Sequence, residues 1–208
     1  MAHLIKIYPE NPNEKHIAQV VDTLRKGGVI VYPTDTVYSF GCDLNNKAAL
    51  ERVAKIKGLK LEKADFSVIF NDLSLLSEYT RQIDTATYKL LKRALPGPFT
   101  FILEASGTVP KLFKSKKKTI GIRIPDNSIP RTIVQDLGNP IIATSVHDED
   151  DIIEYTTDPE LILEKYGKQV DLVIDGGFGD NDASTVVDLT NGQREVIRAG
   201  KGDVDLVF

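Results

Sequence analysis

Residues 28–43 read GVIVYPTDTVYSFGCD. Residues 29–32 are all apolar, β-branched or aromatic, the composition of a strand buried on both faces, and Pro33 stops it. Then the pattern changes. Thr34, Asp35 and Thr36 set two hydroxyls and a carboxylate at the mouth of that strand, and no helical periodicity begins there. Two structures fit such a stretch. One is a turn closed by its own hydroxyls; the other is the rim of a small-anion pocket lined by hydroxyl and backbone donors.

Outward from this stretch, short apolar runs alternate with helical patterns. Upstream, LIKIY (4–8) is a strand, and Asn13 caps a helix whose Ile17, Val20, Val21 and Leu24 share a face before Gly27 and Gly28 end it. Downstream, KAALERVAKIKG (47–58) is a helix with Leu50, Val53 and Ile56 inward and Gly58 as its stop. FSVIF (66–70) is a strand, and two short helices fall near 72–79 and 85–95. Pro96-Gly97-Pro98 breaks the chain before the strand FTFILEA (99–105). TIGIRIP (119–125) is a further strand, IPRTIVQDLG (129–138) a helix, and PIIATSV (140–146) is apolar enough for a sheet centre. Asp158-Pro159-Glu160 starts a helix, and VDLVIDGG (170–177) is a strand. STVVDLT (184–190), Asn191-Gly192 and REVIRAG (194–200) read as a tight hairpin. Strands interleaved with helices indicate an α/β fold; the hairpin and FTFILEA make the sheet mixed, parallel and antiparallel.

A chain of 208 residues suits one domain spanning 1–208, large enough to bury roughly 70% of its unfolded surface without staples. The single Cys42 cannot form an internal disulfide, and its default role is a buried structural thiol. Neither a signal peptide nor a membrane-spanning run is evident, so the expected location is the cytoplasm. Net charge is only −4, which argues against a globally polyanion-binding surface, yet the charge is uneven. Residues 111–118 read KLFKSKKK and residues 147–151 read HDEDD. A lysine run is usually a solvated loop; the alternative is a contact to nucleic-acid phosphates through Lys111, Lys114, Lys116, Lys117 and Lys118.

Standard catalytic signatures are absent. No GxxxxGK[ST] loop or GxSxG elbow occurs, and the glycines of DGGFGD (175–180) read as a turn. The three histidines are scattered without metal-ligand spacing, so no dedicated metal site is expected. What remains are polar residues at strand ends: Thr34, Asp35, Thr36, Arg123, Thr144, Ser145, Ser184, Thr185 and Arg198. Taken singly each suits a turn or cap. Ligands of open α/β sheets gather outside strand ends, so their value lies in convergence on one cleft that takes phosphate or carboxylate.

In order, PTDTVYSFGCD, KIKG, LPGPFTFILEA, IGIRIPD, PIIATS, STVVDLT and VIRAG resemble the YrdC family from about residue 6 to residue 203, and most closely its YciO branch. The resemblance implies one twisted mixed sheet with flanking helices and a concave ligand face, associated in the family with double-stranded RNA or tRNA and with nucleotide. It implies the synthesis of threonylcarbamoyl-AMP from ATP, L-threonine and bicarbonate, with release of pyrophosphate, for threonylcarbamoyladenosine formation at position 37 of tRNA. Mg²⁺ would accompany ATP. By the same resemblance Thr34, Arg123, Thr144 and Ser184 fall on the threonine and bicarbonate side. Lys57, Ser145 and Arg198 fall on the nucleotide side.

The departures are specific. Where the family's Lys-x-Arg motif has its arginine, this chain has Leu59, and Lys60 or Lys63 would supply charge without a planar fork. Phe70 stands near the position of a family histidine, and Ser-Ala-Asn has become Ser145-Val146-His147. Two readings follow: a synthase of weakened activity, or a non-catalytic module of the same fold that binds double-stranded RNA, tRNA or nucleotide.

Overall fold

The structure, a computed structural model, describes residues 1–109, 118–146 and 154–208. In chain order the strands are β1 (His3–Lys6), β2 (Ile30–Tyr32), β3 (Ser39–Gly41), β4 (Ser67–Ile69), β5 (Phe99–Glu104), β6 (Thr119–Arg123), β7 (Ile141–Ser145), β8 (Leu172–Asp175), β9 (Thr185–Asp188) and β10 (Glu195–Arg198). The helices are α1 (Glu14–Arg25), α2 (Lys47–Ile56), α3 (Leu76–Tyr79), α4 (Thr85–Ala94), α5 (Ser128–Leu137), α6 (Glu154–Thr157) and α7 (Pro159–Tyr166). Side-chain caps start the longer helices where the sequence offers them. Asn13, Asn46, Asp84, Asn127 and Asp158 each accept a backbone N–H of the first turn.

The described strands form one open sheet ordered β1-β8-β2-β3-β7-β4-β6-β5-β9-β10. It is mixed: β1–β8, β2–β8, β4–β6 and β5–β9 run parallel, while β2–β3, β3–β7, β4–β7, β5–β6 and β9–β10 run antiparallel. Period-two alternation sorts the core into two layers. Val31, Phe40, Val68, Phe70, Phe101, Ile120, Ile122, Ile142 and Val187 face one side, under α2, α4 and α7. Ile30, Tyr32, Ile69, Ile141, Ala143 and Ile174 face the other, with Ile17, Val20, Val21 and Leu24 of α1 and Ile129, Ile133 and Leu137 of α5. Each such buried aliphatic contributes ~1.5–3 kcal/mol, which outweighs the modest propensity of these short helices.

The second layer stops at β4. Beyond it, the same face of the sheet carries Thr119, Gly121 and Arg123 of β6, Thr100 and Ile102 of β5, and Val186 and Asp188 of β9, outside both core layers. This polar half-face is what the fold leaves for a site.

Two sequence expectations change. β3 is a strand in its own right, the antiparallel return from β2, although residues 39–41 are too short and too mixed to show a period. The Asn191-Gly192 hairpin is not a two-residue turn: β9 ends at Asp188, a 3₁₀ turn covers Thr190–Gly192, and β10 starts at Glu195. β10 also carries a bulge, because Val196 pairs with Val187 but Arg198 pairs with Val186. A regular register would have put Arg198 opposite Thr185, on the helix-covered face; the extra residue turns it onto the open one.

Candidate functional site

The turn after β2 is closed by its own hydroxyls. Thr34 Oγ1 accepts the Thr36 N–H at 3.1 Å, lies 3.0 Å from Thr36 Oγ1 and donates to the Val37 carbonyl at 2.8 Å. Its three carbonyls are taken up as well. Asn127 Nδ2 donates to Thr34 O at 3.4 Å, Lys201 Nζ to Asp35 O at 2.8 Å, and the Asp180 N–H to Thr36 O at 3.1 Å. Thr34 therefore shapes the turn, and the turn as a whole presents Asp35 and Thr36 to Arg123.

Arg123 ends β6 on the polar half-face. Its Nη2 donates to Asp35 Oδ1 at 3.1 Å and to Thr36 Oγ1 at 2.9 Å. Asp35 Oδ2 accepts the Asp126 N–H at 3.0 Å, just ahead of α5, so both carboxylate oxygens are used. The pair is deep: the side chains are 5% and 8% exposed. Burial pulls the Arg123 pKa down and Asp35 pushes it back, with a net lowering that leaves an arginine charged. Arg123 Nε is buried and has no hydrogen-bond partner. Native structures seldom leave a charged donor so, and the usual explanation is a ligand or water.

Next to Arg123 the polar row continues strand by strand. Ser67 on β4 pairs with Gly121 on β6, and Gly121 with Ile102 on β5. A Cβ on Gly121 would meet Thr100 Cγ2 at 3.3 Å and Ser67 Cβ at 3.6 Å, so the glycine keeps a notch between two hydroxyl side chains. Thr100 Oγ1 lies 2.8 Å from Ser184 Oγ. Arg198 closes the row, with Nη2 donating to Ser184 O at 2.8 Å and to Ser184 Oγ at 3.3 Å. Its charge is felt at Arg123. At the far end Ser145 faces the same side, opposite Ser39 on β3, and Lys57 at the end of α2 donates to the Ser145 carbonyl at 3.0 Å. Partial burial lowers the Lys57 pKa. Lys201 clasps the rim, joining Asp35 O to Asp180 Oδ2 at 2.6 Å.

Arg123, Ser145, Ser184 and Arg198 thus share one face with the Thr34 turn, and Lys57 reaches its edge. Thr144 does not. It pairs with Phe40 and alternates with Ile142 and Val146, which turns it toward the helix-covered side. Phe70 belongs to that side too, edge-on to Tyr79 with centroids 5.3 Å apart. Leu59 and Lys60 are exposed beyond α2, lining a hollow of about 420 Å³ with Glu51, Lys55 and Leu61. Lys111, Lys114, Lys116 and Lys117 lie outside the described residues, as does His147, and the Lys63 side chain is likewise not described. Lys118 is exposed at the start of β6. Cys42 is buried, its thiol pushed far up by desolvation.

Sequence reading did not single out Ser67, Thr100, Gly121 or Lys201. For the first three the signal was present as period two within 66–70, 99–105 and 119–125, but no pattern says which strands are neighbours.

An open mixed sheet with a polar half-face built on Thr-Asp-Thr, a buried arginine and a bulged terminal arginine defines the class. The chain belongs to the Sua5/YciO/YrdC family, whose profile, described as telomere recombination, matches residues 22–200. It is 42% identical to the uncharacterized protein YciO of Escherichia coli K12 over 206 residues, 98% of each chain. The crystal structure of E. coli YciO matches it with a TM-score of 0.92 at 40% identity, covering 100% of both chains. Threonylcarbamoyl-AMP synthase of Nitrosococcus oceani is 31% identical over 172 residues, 82% of this chain and 91% of that one. The crystal structure of P. abyssi Sua5 complexed with L-threonine matches with a TM-score of 0.86 at 25% identity, covering 96% of this chain and 58% of that one. No helix among the described residues is long and apolar enough to cross a membrane.

Proposed function

We propose that the protein joins L-threonine, bicarbonate and ATP into threonylcarbamoyl-AMP, releasing pyrophosphate. Arg123 carries the reading: an arginine 4% exposed, its guanidinium anchored on one side by Asp35 and Thr36, with a buried Nε that no protein atom takes up. A fixed buried donor on an uncovered sheet face suits a substrate carboxylate. The named synthase at 31% identity and the L-threonine complex of P. abyssi Sua5 support the same substrate.

In this reaction the threonine amine bonds to the bicarbonate carbon with loss of water, forming a carbamate. A carbamate oxygen then bonds to the α-phosphorus of ATP, and the bond to pyrophosphate breaks. Arg123 orients the threonine carboxylate, and Ser184, held by Thr100 and Arg198, lines the pocket beside it. Lys57, Ser145 and Arg198 are the groups for the nucleotide and its phosphates. Acceleration comes from positioning and from charge met by preset donors. Mg²⁺ enters with ATP as part of the substrate, held by phosphate oxygens and water. Asp35 has both oxygens engaged, and no cluster of three or more metal-ligating side chains occurs among the described residues.

Leu59, 45% exposed, offers no guanidinium where the family motif has one. One such charged contact is worth ~2.7–4 kcal/mol of transition-state stabilisation, or about two to three decades in rate. The activity is therefore lower than that of a synthase with the full set. The test is purified protein with MgATP, L-threonine and labelled bicarbonate. Labelled adenylate and pyrophosphate should form only with threonine present and be lost in Lys57→Ala and Arg123→Ala. Wild-type product no higher than in those variants overturns the reading.

A further inference from the structure

Among the described residues, Ser39 carries one of two buried side-chain polar atoms that no protein atom takes up. It lies in β3, is 1% exposed, and its Oγ has no hydrogen-bond partner. Glycine or alanine there would avoid the cost of an unsatisfied buried hydroxyl.

Register defines its surroundings. The Val146 N–H donates to Tyr38 O and the Ile142 N–H to Cys42 O, so Ser39 and Ser145 between them form a non-hydrogen-bonded pair, the kind in which side chains stand closest. Tyr32 is opposite on the other side, but its ring leans over Gly41, where a Cβ would lie 2.4 Å from a ring carbon. The Tyr32 hydroxyl is spent on the Ile142 carbonyl at 3.0 Å. Neither neighbour thus takes up the Ser39 hydroxyl.

Among the described residues the other buried side-chain polar atom without a partner is Arg123 Nε. The two belong to one face. Ser39 stands opposite Tyr32 and Ser145, Arg123 stands opposite Ile69, and Tyr32 and Ile69 share a core layer. Arg123 also grips Thr36, three residues before Ser39, and its charge is felt at Tyr32. Two orphaned groups able to donate, one of them positively charged, call for an acceptor that is small, to enter so enclosed a spot, and anionic.

We propose that Ser39 is a substrate-contacting residue whose hydroxyl donates to an oxyanion, a carboxylate or carbonate oxygen, that Arg123 Nε also faces. This deepens the synthase reading and rests on it for the identity of the substrate; both L-threonine and bicarbonate carry such an oxygen.

Ser39→Ala and Ser39→Gly in the full chain separate a binding role from a packing role. Two quantities are measured: Tm without ligand, and Kd by calorimetry for L-threonine, bicarbonate and acetate, the last a bare carboxylate. The expected result for Ser39→Ala is a Tm equal to or above wild type, with binding of at least one probe weakened about tenfold, the loss of one hydrogen bond to a charged acceptor. Weakening of threonine and acetate assigns the contact to the amino-acid carboxylate; weakening of bicarbonate alone assigns it to the carbonate. Affinities within twofold of wild type for every probe, in both variants, overturn the proposal whatever happens to Tm. Wild type that binds acetate but not threonine, with acetate weakened by Ser39→Ala, keeps the oxyanion contact and removes the synthase reading. Wild type that binds none of the three overturns both.

Discussion

Asp35→Ala is the substitution with the largest effect the geometry foresees away from the apolar core. It removes the carboxylate that faces Arg123 at 3.1 Å, in a pair whose side chains are 5% and 8% exposed. It also frees the Asp126 N–H. Breaking a buried ion pair by deleting one partner costs ~3–5 kcal/mol, because the other charge stays desolvated and unpaired. For 208 residues the unfolding entropy is about 0.44 kcal/mol/K, so Tm should fall by ~7–11 °C. Calorimetry on wild type, Asp35→Ala, Arg123→Met and the double variant measures this. The double variant holds no orphaned charge, and should be more stable than the sum of the two single losses implies. A small carboxylate in excess should recover part of the Asp35→Ala loss by binding the bared guanidinium. A Tm drop below about 2 °C for Asp35→Ala, or strict additivity in the double variant, would refute the account of this pair.

Lys57→Met tests the other end of the face. Burial lowers the Lys57 pKa from the ordinary 10.5, so just below that pH the unfolded chain binds more protons and stability rises with pH. Urea unfolding of the variant at neutral pH and near pH 10 should show that rise flattened; an unaltered slope contradicts it. Lys201→Met should release Asp180, whose pKa is held low chiefly by the hydrogen bond from Lys201. NMR titration should find the Asp180 carboxyl raised toward its ordinary range, with the Asn181 and Asp182 N–H groups still holding it down in part. The stability loss, about 1 kcal/mol or less for so exposed a pair, should be present at neutral pH and vanish as pH falls through the native Asp180 pKa. Phe70→Ala should cost ~3–5 kcal/mol by emptying a core site, yet leave ligand affinity unchanged, since Phe70 faces away from Arg123. A selective loss of binding with stability intact would mean that Phe70 belongs to the pocket.

The sheet and its helices were legible because both periods and caps are local. The stripe of Ile17, Val20, Val21 and Leu24 and the stop at Gly138 each depend on residues within a few positions. Residues 39–41 escaped because three residues containing Ser and Gly show no period, and what makes them a strand is the pairing with β2 and β7. The candidate site was legible as a set of residue types at strand ends. Their facing was not: Thr144 and Ser145 are adjacent in sequence, and alternation sends one to each side of the sheet.

By itself, the order of residues determined a mixed α/β sheet and supplied a hydroxyl-rich turn and two arginines at its strand ends, with a lysine at the end of a helix. Only the tertiary structure decided that Asp35 and Arg123, 88 positions apart, would neutralise one another, and that a bulge would swing Arg198 onto their face. The physical reason is range. Backbone preference and amphipathic period act across a few residues, whereas strand neighbours, bulge register and the burial of charge are settled only when distant segments pack together.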